Sequence, residues 1–390
     1  MGNSLGFYDP QFYATEGLIS LMKGLGLANT VYRGYDTTPQ QLGSVINIKG
    51  PSSFIATDVN PETGGTVQDA KTREAQITLN QWKEAKMKLT DAELTFTKEK
   101  MVNDHITPMA YALADAIDQY IASHIKNVPW YETWSSTTSV ADPLKARKIL
   151  QDNKAPMNDG LLYFMTDTAK EAELLGLEAF SQHQGAGNLG VETQVNAYLG
   201  KRYGMNFYVN QNAPKLTSGT STDLEGAIDY TGGYSVGAGS IHIDGLTDAS
   251  TFKAGDIIKI TGDEQQYAIV DDVTLSSATE ADFKIFPALT KSVADDAVVT
   301  IKLPQGSGGS KSNCFAYHRN CIALAMAPLS SMGAEVGARV ATANDPVTGI
   351  TLRSRIWYDG SKSTTFVGLD ALWGCTVLDP NLGCRMVSYS

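Results

Sequence analysis

The 390-residue chain has little of what a catalyst or a membrane protein needs. No stretch approaches the roughly 20 consecutive apolar residues of a membrane span, so no membrane association is expected. Met1 to Asp9 lack a basic segment followed by an apolar one, and no secretory signal is read there. Cysteines number four (Cys314, Cys321, Cys375 and Cys384), none forms a CxxC, and no histidine stands at metal-ligand spacing from them. Buried free thiols in a reducing cytoplasm are the expected state, with no metal or cofactor. Five histidines (His105, His124, His183, His242, His318) are scattered and form no HExxH pair. Basic residues are outnumbered by acidic ones, 31 to 42, for a net charge of −11. That balance weighs against a dedicated nucleic-acid binder, whose affinity rests on Lys and Arg at phosphates. An acidic wall that repels enclosed DNA is compatible with it, and so is simple solubility.

Motif-like strings are equally unproductive. Gly185-Ala186-Gly187-Asn188-Leu189-Gly190 fits GxGxxG, but Ser181-Gln182-His183-Gln184 precedes it where a dinucleotide fold needs a buried strand. Gly233-Tyr234-Ser235-Val236-Gly237 fits GxSxG, with Asp244 and His318 following in formal order for a serine hydrolase. A nucleophile elbow is strand, turn, helix; here a β-rich acidic segment follows, so Ser235 is weighed only as a competitor. Asp271-Asp272 and Asp295-Asp296 lack the spacing of a calcium loop and read as solvated turns. His318-Arg319-Asn320 reads as a satisfied polar corner.

What is present is organisation. A hydrophobic fraction of 42% against 19% charge can bury a real core, and the length fits two to three folded units at about 150 residues each. Residues 1–40 hold one amphipathic segment, Leu18, Leu21, Met22 and Leu25, between Thr15 and Gly26. From Ser44 to Thr97 two extended limbs flank the turn Pro61-Glu62-Thr63-Gly64-Gly65; limbs of about 15 residues reach roughly 50 Å. Such a ribbon is barely stable alone and needs a surface to lie on, which a neighbouring copy would supply. Val102, Ile106, Met109, Leu113, Ile117, Ile121, Ile125 and Val128 mark one helix stripe, with a break near Asp104–Thr107 ahead of Pro108 and a stop at Pro129. A shorter helix is expected over Asp142–Asp152. Then come a strand (Leu161–Met165), a helix (Ala169–Leu177), a helix (Glu192–Tyr198) and a strand (Asn206–Val209). Pro214–Glu225 reads as a linker.

Residues 228–305 hold 12 acidic and 5 basic residues, so seven of the eleven net negative charges sit in a fifth of the chain. Short β-rich runs recur there (Ile241–Ile243, Ile257–Thr261, Tyr267–Val270, Phe283–Phe286, Val298–Leu303), which predicts a small sandwich or barrel inserted into a host domain. Gln305–Ser312 reads as a flexible exit. Cys314–Ala327 is strongly apolar. Leu352–Tyr358, Thr364–Val367 and Trp373–Leu378 follow as strands.

The tail carries a resemblance. His318-Arg319-Asn320, Asp345-Pro346-Val347-Thr348-Gly349-Ile350-Thr351-Leu352-Arg353, Ile356-Trp357-Tyr358-Asp359 and Asp370 to Pro380 (DALWGCTVLDP) together resemble the carboxy-terminal half of tailed-bacteriophage major capsid proteins. The branch is the Hong Kong 97-type fold with an inserted β-domain, as in short-tailed phages. Asp244-Gly245-Leu246, Gly255-Asp256-Ile257-Ile258 and Ile301-Lys302-Leu303-Pro304 look like that module's markers.

The resemblance implies an α+β fold made of an N-terminal arm (1–40), an extended hairpin loop (41–97) and a spine-helix peripheral domain (98–154, completed by 340–370). It further implies an axial domain (155–227, with 306–390 as the return of both domains) and an inserted β-barrel (228–305). It implies no enzyme activity but hexamers and pentamers of this chain forming an icosahedral virion shell, assembled in the host bacterial cytoplasm around double-stranded DNA held without sequence-specific binding. A separate scaffolding protein and a portal protein are the implied partners, with room for a decoration protein. Candidate contact residues are Glu62, Asp69, Lys71 and Arg73 at the hairpin tip and Asp263, Glu264, Asp271 and Asp272 on the inserted domain. The competing readings are a β-rich tail or adhesin component, and the serine hydrolase.

Overall fold

Pro108 has no N–H to offer the carbonyl one turn back, and its ring crowds that carbonyl. The chain answers with a wide π-helical turn at Val102–Ile106, which runs into the α-helix Thr107–Ser123 and a closing 3₁₀ turn at His124–Asn127. The stripe expected from spacing is the buried face: Ile106, Leu113, Ile117, Ile121, Ile125 and Val128 are all buried. This computed structural model describes residues 10–34, 41–49, 56, 58–59, 74–90, 102–182, 187–221, 224–276, 279–330, 337–345, 348–361 and 364–389. The chain divides into two compact bodies. One comprises Met1–Leu25, Arg33–Ala114 and Ala323–Leu378, and the other Gly26–Tyr32, Asp115–Ile322 and Asp379–Ser390.

The first body is built on a sheet whose longest strand is Thr364–Val377. Thr351–Asp359 pairs with it antiparallel, and Arg339–Asn344 pairs with Thr351–Asp359 in turn. Gln81–Thr90 pairs with the long strand from Thr364↔Thr90 to Trp373↔Gln81. Two expectations change here. Thr364–Val367 and Trp373–Leu378 fall in one continuous strand, Thr364–Val377, because the residues between them, 368–372, also pair with 82–86. Residues 81–90 are not a returning limb of the hairpin but a sheet strand, their alternate residues paired across to 364–373. The hairpin proper is Val45–Lys49 against Glu74–Thr78, in the register Val45↔Thr78 to Lys49↔Glu74. Helix Pro10–Gly24, starting five residues before the expected segment, packs on the sheet through Tyr13, Ala14, Gly17, Leu18 and Leu21. Gly17 is needed there, because a Cβ would lie 2.9 Å from Leu352 Cδ2 and 3.3 Å from Leu369 Cδ1.

One buried ionic network ties three strands of this sheet. Asp370 is wholly buried. It accepts from Arg353 Nε at 2.9 Å and from Arg353 Nη2, and from Trp82 Nε1 at 3.1 Å. Arg355 Nη2 stands 3.3 Å away and also reaches Glu84 at 2.6 Å. The remaining arm of Arg353 donates to the Ser330 carbonyl.

In the second body a mixed sheet runs Tyr131–Thr133, Gly383–Val387, Ser310–His318, Leu162–Thr166, Met205–Val209, Lys201–Arg202. Leu162–Thr166 and Met205–Val209 are parallel. One face packs with Ala146 and Leu150 of helix Ala141–Asp152 in a core containing Trp134, Phe164, Leu174, Phe207, Cys314 and Cys384. That helix starts on the buried Asp142 carboxylate, which accepts from Ser135 Oγ (2.6 Å), Ser139 N (2.8 Å) and Lys145 Nζ (2.8 Å). Burial alone would raise its pKa; Lys145, Ser135 and Ser139 outweigh that and lower it. The chain segment 26–32 is held by Asp118, which accepts from the N–H groups of Gly26 (2.7 Å), Leu27 (3.1 Å) and Ala28 (3.0 Å). Thr30 adds a hydroxyl contact to Tyr317, itself 2.6 Å from the Tyr208 hydroxyl.

The acidic segment folds as a closed six-stranded barrel: Ser240–Asp244, Ala281–Phe286, Gln266–Ile269, Ile257–Ile260, Val298–Lys302, Glu225–Ile228. Its inward residues, including Ile228, Ile241, Ile243, Ile258, Ile260, Phe283, Val299 and Ile301, form a core of their own. The strand Glu225–Ile228 closes the ring, so the barrel begins inside the expected linker. The rest of that linker contains Lys215–Thr217, which pairs with the start of Ser310–His318 in the register Ser310↔Thr217 to Ser312↔Lys215. The exit is accordingly a paired neck and not a loose tether: Gln305 is buried, its carbonyl Oε1 accepting from Ser218 Oγ and its N–H donating back at 3.2 Å.

Replacing Asp370 with Ala leaves Arg353 buried without a counter-charge, and we expect it to lower the stability of the unassembled chain by about 3–5 kcal/mol. Chemical denaturation followed by tryptophan fluorescence measures this; a loss under about 1 kcal/mol would mean the network is not structural.

Candidate functional site

Catalytic readings fail on placement. Ser235 lies in a barrel loop where Tyr234 bridges Val293 through backbone bonds of 2.8 and 2.9 Å, and the next element is the strand Ser240–Asp244. There is no elbow. His318 is buried in the host sheet with Nε2 2.6 Å from Asp159 and Nδ1 accepting from Asn320 N–H, so neither nitrogen serves a nucleophile. Gly187-Asn188 open helix Asn188–Asn196, and among the described residues the element before it is helix Glu178–Ser181, where a dinucleotide site needs a strand. The four cysteines are free and buried. Burial pushes the thiols of Cys314, Cys375 and Cys384 far up, so they stay protonated and unreactive.

The candidate surfaces are therefore the hairpin and the barrel. Glu62, Asp69, Lys71 and Arg73, with the turn Pro61–Gly65, lie outside the described residues. The paired base of the hairpin is described, and it is unusual. On the returning strand Ile77 is buried, whereas Val45 on the outgoing strand is 47% exposed and Ile46 and Ile48 are only half-buried. A β-branched strand left open to water is a surface with cohesive capacity.

On the barrel the four candidates differ. Asp263 is buried and turned inward: it accepts from the Tyr267 hydroxyl at 2.6 Å and from Gln265 N–H at 3.0 Å, shaping its own loop. Glu264 is exposed on the rim of an open groove of about 730 Å³ that Lys259, Lys291, Asp152 and Trp130 also line. Asp271 is exposed and paired with Lys284 at 2.8 Å; Asp272 is exposed and paired with Lys253 at 2.7 Å. The Lys253 bond, then the Ala254 N–H, hold Asp272 below the usual carboxylate range.

One barrel cluster was not singled out by sequence. His242 sits between neighbouring strands with Nδ1 2.9 Å from Asp282, while Glu280 lies 3.8 Å from Nε2 and Asp229 closes the group. The cross-strand register His242↔Asp282 creates it, and spacing of 40 residues hides it in the sequence. The Asp282 hydrogen bond, outweighing burial, raises the imidazole above its ordinary 6.5, helped by the charges of Asp282, Glu280 and Asp229.

No family model matches the sequence, and no curated protein matches it. Solved structures do. The chain is similar to one from Mycobacterium phage Che8 over 93% of its own length and 90% of the other, at 13% identity and a TM-score of 0.46. It is similar to the capsid structure of Cyanophage P-SCSP1u over 92% and 86%, at 12% identity and 0.44. For the mature capsid asymmetric unit of bacteriophage PhiM1 the figures are 93% and 87%, 10% and 0.45.

The raised folded-state pKa of His242 sets a sign. Its contribution to barrel stability is complete below the unfolded value of 6.5 and is lost as pH rises through the folded value. We expect Asp282→Asn to bring the His242 titration down toward 6.5 and to flatten this pH dependence. Histidine NMR titration and thermal melts between about pH 5 and 8 check both.

Proposed function

We propose that this chain is the major capsid protein of a tailed bacteriophage, a structural protein that builds an icosahedral shell from hexamers and pentamers of itself around double-stranded DNA. Residues 1–40 would then be the arm, 41–80 the extended loop with 81–90 already in the sheet, 98–154 with 340–370 the peripheral domain, 155–224 the axial domain, 225–305 the inserted barrel and 306–390 the return of the axial and peripheral domains. The observation that carries the reading is the hairpin: Val45 on its outgoing strand is 47% exposed, Ile46 and Ile48 are only half-buried, and Ile77 on the partner strand is buried. A two-stranded ribbon of this kind is marginal unless something covers it. Supporting it are the tail motifs, whose Arg353 and Asp370 form the buried pair of the first sheet, and the closed barrel carried on a paired neck between host strands.

Such a shell needs no strong individual contact. Repeated copies bind with high effective concentration, so modest apolar burial at each hairpin suffices. A scaffolding protein supplied separately, a portal, a place in the virion and assembly in the bacterial cytoplasm belong to the same proposal. The exposed acidic rim of the barrel, with Glu264, Asp271 and Asp272, is placed in contacts between capsomers; Glu62, Asp69, Lys71 and Arg73 are placed against a neighbour.

Co-expression with the phage's scaffolding protein, followed by sedimentation and electron microscopy, should give closed shells. Val45→Glu puts a charge on the exposed strand and should abolish shells while leaving the melting of the unassembled chain within about 0.5 kcal/mol of the parent. A chain that stays monomeric at high concentration with its scaffold present would overturn the reading.

A further inference from the structure

Arg385 is the least expected residue in the second body. It lies in the strand Gly383–Val387, between Phe315 and Tyr131 on the neighbouring strands, and is completely buried. Cys384 and Met386, which flank it, face the apolar core on the other side of the sheet. Arg385 thus points toward the barrel. Its Nη2 donates to the Gly255 carbonyl at 2.9 Å, while Nε and Nη1 bond to no described protein atom. Burial brings its pKa down to about 10, so it keeps its charge at neutral pH. A buried cation of this kind is costly unless an opposite charge faces it.

That charge is Asp256, also completely buried. Asp256 Oδ2 accepts from Lys253 N–H at 2.8 Å and from Gly219 N–H at 2.9 Å, while Oδ1 has no hydrogen-bond partner among the described atoms. One carboxylate therefore clasps the barrel's entry segment to its 253–256 turn, and the same turn offers its carbonyl to Arg385. Gly255 makes the approach possible. It is at φ +106, and a Cβ there would lie 3.3 Å from Lys126 Cβ and 3.4 Å from Arg385 Nη1. Gly219 is equally constrained, since a Cβ would fall 1.8 Å from the Thr251 carbonyl oxygen.

The covalent connections alone do not seat a barrel. Two strands, Lys215–Thr217 in and Ser310–Ser312 out, define a hinge about which a compact unit can rock. A third attachment from a different strand removes that freedom. We infer that Arg385, gripping Gly255 and facing Asp256, is a latch that locks the inserted barrel's orientation on the host sheet. It is a positioning residue: it fixes where the barrel's acidic loops point without reaching them. Arg385 and Asp256 attract each other through space without a direct hydrogen bond, so the latch holds position by charge as well as by its single hydrogen bond to Gly255. The inference stands whether or not the chain builds a shell, because it concerns the unassembled molecule.

Hydrogen exchange on the purified full-length chain tests it. In Arg385→Gln the amides of Gly219, Lys253 and Gly255 should exchange at least about tenfold faster, while Ile258, Ile285 and Ile301 inside the barrel keep their protection. Gly255→Ala keeps the charge and displaces the carbonyl; it should give the same pattern and serves if Arg385→Gln is insoluble. Unchanged exchange at the seat in both variants overturns the latch. Equal acceleration inside the barrel also overturns it, because Arg385 would then be supporting the barrel's fold and not its orientation.

Discussion

The Arg353–Asp370 pair is the constraint on which the first body depends. Taking a guanidinium and a carboxylate out of water costs several kcal/mol each, and only near-complete bonding offsets it. Here Asp370 receives two bonds from Arg353 and one from Trp82, while Arg353's last donor finds Ser330. Arg353↔Asp370 and Asp370↔Glu84 are register partners, so the network reads out the alignment of three adjacent strands. A slip of one residue would turn Asp370 to the opposite face, toward Leu369's neighbours under the helix, and leave an unpaired buried charge. Register in this sheet is thereby set by electrostatics as well as by hydrophobic alternation.

The barrel solves a different problem. Six short strands in an open sheet would expose two edges. Closure removes the edges. The barrel has a core of its own, led by Ile228, Ile243, Phe283 and Ile301. What it needs from the host is a direction, and the paired neck with Arg385 supplies one.

How much of this the sequence disclosed follows from the range of each interaction. Local, periodic signals were readable: the long helix stripe from Ile106 to Val128, the π turn as a break before Pro108, and five of the six barrel strands. Glu225–Ile228 escaped because Gly226 and Glu225 look like linker and one of its two partner strands lies more than seventy residues downstream. Gly383–Val387 escaped because Arg385 interrupts an apolar run, and only the fold shows what faces it. The His242 cluster and the Arg353–Asp370 pair are products of register, which no single-sequence periodicity encodes. Asp263 was legible as an acidic loop residue, but its capture by Tyr267 was not.

The distribution of unsatisfied capacity also bears on how copies of the chain would cohere. Asp271, Asp272 and Asp263 already have partners within the chain, and exchanging one exposed ion pair for another gains little, since such pairs are worth about 0–1 kcal/mol. Charged loops of this sort choose orientation and reject wrong neighbours more than they bind. Cohesion has to come from surface that water covers poorly. Val45, 47% exposed, leaves such a surface on one face of the ribbon, and covering what remains of it is worth about 1 kcal/mol per copy. In the proposed shell, where every copy would both give and receive the contact, such terms would sum, with the acidic barrel as the discriminating element and the ribbon as the adhesive one. The division of labour matches where the chain places its charge: seven of eleven net negative charges in the segment with its own core, and few near the exposed strand.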